Sequence, residues 1–200
     1  MTDARLYAPA TQRNRDPISD VLRRVLPETG TVLMIAEGTG EHVTHFAGVF
    51  PKLTFQPTDP DAASRDSIAA WTEHEQLTNV LPPLALDASA DAWPVQHADA
   101  VLCINMIHIS PWQATAGLMR GAARVLSKGA PLYLYGPYKR HGRHTAESNE
   151  KFEGWLKSLN PDYGVRDLAD VTDIAARNGF KGPEVVEMPA NNFSVVFWRG

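Results

Sequence analysis

Short apolar runs that end abruptly in glycine or a polar residue alternate along this chain with segments whose apolar positions recur at helical spacing. Val32-Leu33-Met34-Ile35-Ala36 is continuous, as a strand covered on both faces must be, and it meets Gly38-Thr39-Gly40 at once. Val43, Phe46, Ala47 and Phe50 then repeat with a helical period until Pro51 stops them. A second strand is predicted over Leu53 to Gln56, closed by Pro57-Thr58-Asp59-Pro60-Asp61, and a helix carrying Ile68, Ala69 and Trp71 follows, with Asp61 as a candidate cap. Leu84-Ala85-Leu86 running into Asp87 reads as a third strand, and Asp99 to Asn105 as a fourth. A helix from Gln113 to Leu126, stopped by Lys128-Gly129, leads to a fifth strand, Pro131 to Tyr135, and the turn Gly136-Pro137. A helix from Asp170 to Asn178, capped by Asp170, precedes strands at Glu184–Met188 and Asn192–Arg199. The short link Pro189-Ala190-Asn191 implies that these last two are antiparallel.

Repeated β-α alternation predicts an α/β fold: a Rossmann-like, doubly wound, mostly parallel seven-stranded sheet with helices on both faces and a C-terminal antiparallel hairpin. That order resembles the class I S-adenosylmethionine (SAM) dependent methyltransferases, whereas ordinary dinucleotide-binding domains lack the final hairpin. At 200 residues and 44% hydrophobic content, residues 1–200 are expected to form a single domain. The formal charge of −4 lacks the positive field that non-specific nucleic-acid binding needs, so no nucleic-acid partner is expected. The single cysteine, Cys103, sits in an apolar run and reads as a small buried hydrophobe. No apolar stretch approaches the length of a membrane span, and the N-terminus lacks the layout of a signal peptide, so a cytoplasmic location is expected.

In an open α/β sheet the ligand lies beyond the carboxyl ends of the strands, where the strand order reverses. Gly38 and Gly40 let the backbone approach a ligand closely, and the following helix offers free N–H groups. A dinucleotide fingerprint wants Gly or Ala where this chain has Val43, which weakens the NAD or FAD reading. SAM has no pyrophosphate and needs instead an acid near the end of strand two for its ribose hydroxyls and polar contacts for its adenine. Asp59 is either that acid or a turn residue bonding local backbone, and Asp87 either meets the adenine or is an exposed strand-end acid. Asn105 is better placed than either to line the crevice.

The segments Ile35 to His42, Phe55 to Asp59, Asn105 to Trp112, Leu134 to Tyr138, Glu147 to Asn149 and Met188 to Asn192 together resemble the methyltransferase-like 26 family, from about Tyr7 to the C-terminus. The resemblance implies the fold and SAM as cofactor, held by Gly38, Thr39, Gly40, Asp59, Asp87 and Asn105, but it supplies no acceptor. One departure stands out. The family and its superfamily usually carry Glu or Asp where this chain has Met34, and the family commonly has Ser where this chain has Glu37. Glu37 is therefore expected either to restore a negative charge for the cofactor or to leave SAM affinity weakened.

Methyl transfer is an in-line displacement that mainly requires alignment and, for a protonated acceptor, removal of a proton. His108, just past strand four, is a candidate base, hydrogen-bonding group or structural residue. Tyr138, Asn149, Asn191 and Asn192 converge on the same face if the tail packs as in the superfamily. Asn191 and Asn192 are alternatively plain turn residues, and Trp112 either a core-edge anchor or a pocket wall. Arg13 and Asn14 belong to an opening segment, residues 1–28, with a helix begun by Asp16-Pro17; it folds over the crevice as a lid or is simply solvated. The basic run Lys139 to His144 reads as a loop able to steer an anion.

His42-x-x-His45 and His141-x-x-His144 lack the companions of a zinc site, so no metal is expected. No G-x-S-x-G elbow is present, and Asn105 is not followed by the Pro-Pro pair of nucleobase amino methyltransferases. The reading is a SAM-dependent methyltransferase acting on a small molecule, with oligomeric state open. The alternatives are a non-catalytic SAM-binding protein of the same fold and a nicotinamide oxidoreductase.

Overall fold

A strand buried on both faces must send alternate side chains into two separate cores. A computed structural model, which describes residues 3–200, shows this for β1 (Gly30–Ile35): Leu33 and Ile35 enter one core, Val32 and Met34 the other. The same division holds in β3 (Ala100–Ile104) and β4 (Pro131–Gly136), where Cys103 and Leu134 face one side and Leu102 and Tyr133 the other. The first core is closed by α4 (Trp112–Val125) and α6 (Leu168–Arg177). The second is closed by α1 (Pro9–Val25), α2 (Glu41–Val49) and α3 (Ala62–His74). Burial pushes the Cys103 thiol up to about 12, as befits an inert core residue.

The sheet runs β2-β1-β3-β4-β8-β7, with β2 at Leu53–Pro57, β7 at Phe180–Met188 and β8 at Asn192–Arg199. β8 is antiparallel to both its neighbours and the other pairings are parallel. Between Met188 and Asn192 the reversal uses Ala190 and Asn191 at φ 56° and 58°. A small hairpin of β5 (Lys139–Arg140) and β6 (Arg143–His144) precedes α5 (Glu147–Leu159). No helix among the described residues is long and apolar enough to cross a membrane.

The sheet has six strands, not the expected seven. The segment from Asn79 to Leu84 does run beside β2: Phe55 N–H donates to the Asn79 carbonyl, Leu81 and Leu84 N–H to those of Phe55 and Pro57, and Asp59 N–H to that of Leu84. Pro82 and Pro83 carry no N–H, so these bonds never join into a ladder, and the contact is displaced upstream of the expected Leu84–Leu86. Three further boundaries differ. α1 begins at Pro9 and carries Pro17 within it, instead of starting at Asp16-Pro17. α6 is capped by Asp167, whose carboxylate accepts from Ala169 N–H, not by Asp170. β7 begins at Phe180 and passes an irregularity between Lys181 and Glu184. Asp61 caps α3 as expected, accepting from Ser64 N–H.

Candidate functional site

The crossovers leaving β1 and β3 depart to opposite sides, so the strand order reverses between these two neighbours, and the crevice opens above their carboxyl ends. A cavity of about 420 Å³ lies there, lined by Ala36 from the tip of β1, Asp59 from the tip of β2, Asp87 and Ser89 from the following loop, and Met106 and Ile109 from beyond β3. A larger hollow, about 940 Å³, lies beside α5 and α6 and contains none of the expected cofactor residues.

The turn from β1 into α2 bends through positive φ at Ala36, Gly38 and Gly40. The two glycines serve different ends. A Cβ on Gly38 would meet nothing within 4 Å, whereas a Cβ on Gly40 would stand 2.8 Å from the Ile68 Cα. Gly40 lets α3 pack against the turn, and Gly38 leaves room above it.

Three carboxyl groups converge on this turn, all at most 8% exposed. Asp59 accepts from Gly38 N–H through Oδ2 and from Asp61 N–H through Oδ1, both at 2.9 Å. Its local turn bonding and its place on the cavity wall therefore hold together. Glu37 Oε1 accepts from Val43 N–H at 2.8 Å, in the first turn of α2. Glu41 Oε2 accepts from the Thr39 hydroxyl at 3.1 Å and from Ala8 N–H. Among the described residues none of the three joins an ion pair. Burial, aided by the neighbouring Asp59 and Glu41 and opposed by the Val43 amide, pushes the Glu37 carboxyl up to about 8. Met34 is buried in the apolar second core.

Asp87 lines the cavity from an exposed position, its Oδ1 accepting from the Ser89 N–H and hydroxyl. Asn105 adopts φ 62° at the tip of β3, its N–H donating to the Tyr135 carbonyl. His108 and Tyr138 are fully buried and meet edge to face with ring centroids 5.0 Å apart. Arg166 N–H points at His108 Nδ1 from 3.4 Å, while Nε2 and the Tyr138 hydroxyl have no partner. A Cβ on Gly136 would stand 2.5 Å from His108 Nε2 and 3.2 Å from Asn105 Oδ1, so the glycine lets this imidazole tuck beneath the tip of β4.

The remaining expected residues are dispersed. Arg13 is exposed on α1. Asn14, buried, holds His42 Nε2 at 2.8 Å. Trp112 faces the larger hollow, with the Arg166 guanidinium 5.7 Å from its ring centre. Asn149 donates to Thr145 Oγ1 and the Asn191 carbonyl, Asn191 to Ser148 Oγ, and Asn192 to the Pro189 and Ala190 carbonyls. These amides tie α5 to the β7–β8 turn, away from Asp59. The opening segment is anchored: Leu6 N–H donates to Ser67 Oγ, which donates to the Thr39 carbonyl, and Trp71 Nε1–H donates to the Leu6 carbonyl. The bonds of Glu41 to Ala8 and of His42 to Asn14 leave no signal in the sequence because the partners are remote in the chain.

Three buried groups set an acid and an alkaline limit. Burial, with Arg166 in one case and His45 and Arg15 in the other, holds the His108 and His42 imidazoles down to about 3. Between pH 3 and 6.5 the unfolded chain binds these protons and the folded one does not, so stability falls as pH drops below 6.5. Glu37 acts oppositely: above its ordinary 4.5 and below about 8 the folded state binds the extra proton, so stability declines as pH rises towards 8. Thermal unfolding is expected to peak near pH 6 to 6.5, and Glu37→Gln to remove the alkaline decline. A melting temperature that is flat from pH 4 to 8 contradicts this assignment.

A doubly wound sheet with this hairpin and a glycine turn at its switch point defines the Rossmann-like methyltransferase fold. Residues 5–199 match the family described as "Protein of unknown function (DUF938)", and the chain belongs to it. Among solved structures, an O-methyltransferase family protein from Burkholderia thailandensis superposes with a TM-score of 0.82 at 16% identity, over 96% of this chain and 56% of that one. Human N-acetylserotonin methyltransferase in complex with SAM gives 0.75 at 13% identity, over 96% and 53%. CalO1, a methyltransferase of calicheamicin biosynthesis in its SAH-bound form, gives 0.72 at 15%, over 94% and 56%. The chain spans about half the length of these structures.

Proposed function

We propose that the protein binds SAM and transfers its methyl group to a small molecule, in keeping with its resemblance to the methyltransferase-like 26 family. The observation that carries this reading is the set of buried carboxyl groups around the glycine turn, none in an ion pair among the described residues. Such a turn repels a pyrophosphate and attracts a cation, which favours SAM over a nicotinamide dinucleotide. SAM supplies an electrophilic methyl group on a positively charged sulfur. Asp59 accepts from the ribose hydroxyls, Asp87 from the adenine amine, Gly38 and Thr39 leave the cofactor room, Gly40 sets the turn, and Asn105 borders the reacting end.

On the acceptor side, His108 takes the structural role among its expected ones: fully buried beneath the tip of β4, it supports the crevice floor and is not a base. Arg166 N–H faces its Nδ1, which leaves the proton on Nε2. Tyr138 supports the ring of His108, and Asn14 places the anchored opening segment as a lid over the turn. An acceptor that reaches the site already able to attack suits this arrangement, and a small polar molecule of the cell's interior is the expected class.

Thermal unfolding with SAM, SAH and NADH tests the cofactor. Saturating SAM is expected to stabilise by about 2.7 kcal/mol at a hundredfold excess over Kd, or roughly 5 to 11 °C at this chain length. A shift with NADH and none with SAM overturns the proposal. SAH release with a metabolite pool separates turnover from the binding-only alternative.

A further inference from the structure

The larger hollow, about 940 Å³, and the cofactor cavity meet at Tyr163, which lies in the loop between α5 and α6 and lines both. The partition beside it is bonded across. Arg166, on the side of the hollow, donates from its guanidinium to the carbonyl of Ser110, on the side of the cavity, at 2.6 Å, and to those of Ile107 and Asp162 at 2.9 Å. It joins no ion pair among the described residues, so its donors are spent on this wall.

The charges of the hollow are sorted by element. On the side of β5 and α5, the Lys139 and Lys157 ammonium groups both lie on the Glu153 carboxylate, at 2.8 and 3.2 Å. Two ammonium groups on one carboxylate leave a positive charge over, and His144, 2.7 Å from Oε2, adds no negative one. On the other side Asp162, beside Tyr163, and Asp170 and Asp173, on α6, outnumber Arg177, and none of the four joins an ion pair among the described residues. Asp167 is occupied, its oxygens accepting from Gly142 and Ala169 N–H.

A hollow positive at one end, negative at the other and walled in part by the Trp112 and Tyr163 rings suits a molecule that carries both charges. Resting on the SAM reading above, we propose that this hollow binds the methyl acceptor and that the acceptor is an amino-acid-like zwitterion. Its carboxylate lies at Lys139 and Lys157, its ammonium at Asp170 and Asp173, and a further heteroatom at Tyr163, where the cofactor cavity begins. An ammonium has no lone pair, so it is a handle and not the atom methylated. In the transfer the lone pair of the heteroatom forms the bond to the methyl carbon, and the carbon–sulfur bond breaks with both electrons left on sulfur, giving SAH. The proton of the acceptor atom passes to water.

Three probes share a phenyl ring: phenylalanine carries both charges, 2-phenylethylamine only the positive one and 3-phenylpropionate only the negative one. Titrated with phenylalanine and followed by backbone amide NMR, the protein is expected to show saturable shifts at Lys139, Tyr163 and Asp173. The other two compounds are expected to bind at least about tenfold more weakly, each lacking one charged partner. Lys157→Met and Asp173→Asn alter exposed side chains, and each is expected to weaken phenylalanine roughly two- to fivefold, since one of the two like charges remains. Thermal unfolding of both variants checks that the fold is kept. Equal binding of the three compounds, unchanged affinity in both variants, shifts confined to residues outside the hollow, or no binding of phenylalanine at millimolar concentration overturns the inference. SAH shifts at Ala36, Asp87 and Met106 keep the cofactor reading intact in each of those cases. If neither SAM nor SAH binds at millimolar concentration, the cofactor reading falls and the acceptor role of the hollow with it, whatever the phenylalanine series shows.

Discussion

Gly117→Ala is expected to lower the melting temperature by roughly 4 to 8 °C, although alanine is the better helix former. Gly117 lies within α4, and a Cβ there would stand 2.2 Å from the Ala88 carbonyl oxygen and 2.6 Å from the Ser89 Cα. Both obstacles are backbone, so no rotamer change relieves the overlap. Forced overpacking of this kind costs about 3 kcal/mol, and helix propensity returns about 1 kcal/mol, for a net loss near 2 kcal/mol. Gly121, one turn further on, meets the Trp93 ring in the same way, so the pair allows the chain from Ala88 to Trp93 to lie directly on the helix. Ala88 and Ser89 also wall the 420 Å³ cavity, so SAM affinity should fall with stability. Gly154→Ala is the control. It sits in α5 with nothing within 4 Å of the added carbon, and is expected to stabilise by about 0.5 to 1 kcal/mol. If the two variants melt alike, the close approach on α4 is not a constraint.

Asp59→Ala is expected to have the largest effect on cofactor binding. Its carboxylate joins the β1–α2 turn to the start of α3 by accepting from Gly38 and Asp61 at once, and its removal strands the Gly38 N–H in a part-buried position. An unsatisfied buried donor costs about 1 to 3 kcal/mol, so a fall of roughly 2 to 12 °C in melting temperature should accompany the substitution. SAM affinity is expected to drop at least about tenfold, or 1.4 kcal/mol, as the ribose hydroxyls lose their acceptor and the turn loosens. Asp59→Asn, with one carbonyl oxygen left, should fall between. Calorimetry and thermal unfolding on the same samples separate the two effects. Undiminished SAM affinity in a folded Asp59→Ala protein would remove this residue from the site.

The architecture was legible wherever the pattern was local. β1, β3 and β4 are continuous apolar runs because each feeds two cores, and the length of the Pro189–Asn191 link compels the antiparallel ending. The glycine turn and the acid at the tip of β2 were equally visible, since the position of Asp59 follows from strand and turn alone. Gly40, expected beside a ligand, has Ile68 packed against it, a contact that no local pattern shows. The helix α5 went unseen because its apolar residues do not all face inward: Leu156 is buried, while Trp155 and Leu159 are exposed. Pairings across long chain separations left no trace, as with Asn14 and His42, 28 residues apart. The upward shift of the Glu37 carboxyl was beyond reach for the same reason, because it comes first from burial and then from the acids that folding gathers around it.

The two consecutive prolines beside β2 also bear on how the molecule behaves at high concentration. An outermost strand normally offers a row of donors and acceptors on which a second polypeptide can zip, the first step towards ordered aggregates. Here that rim is fenced by imino rings at Pro82 and Pro83, so it makes a poor template, and self-association by backbone annealing is discouraged along this flank of the sheet.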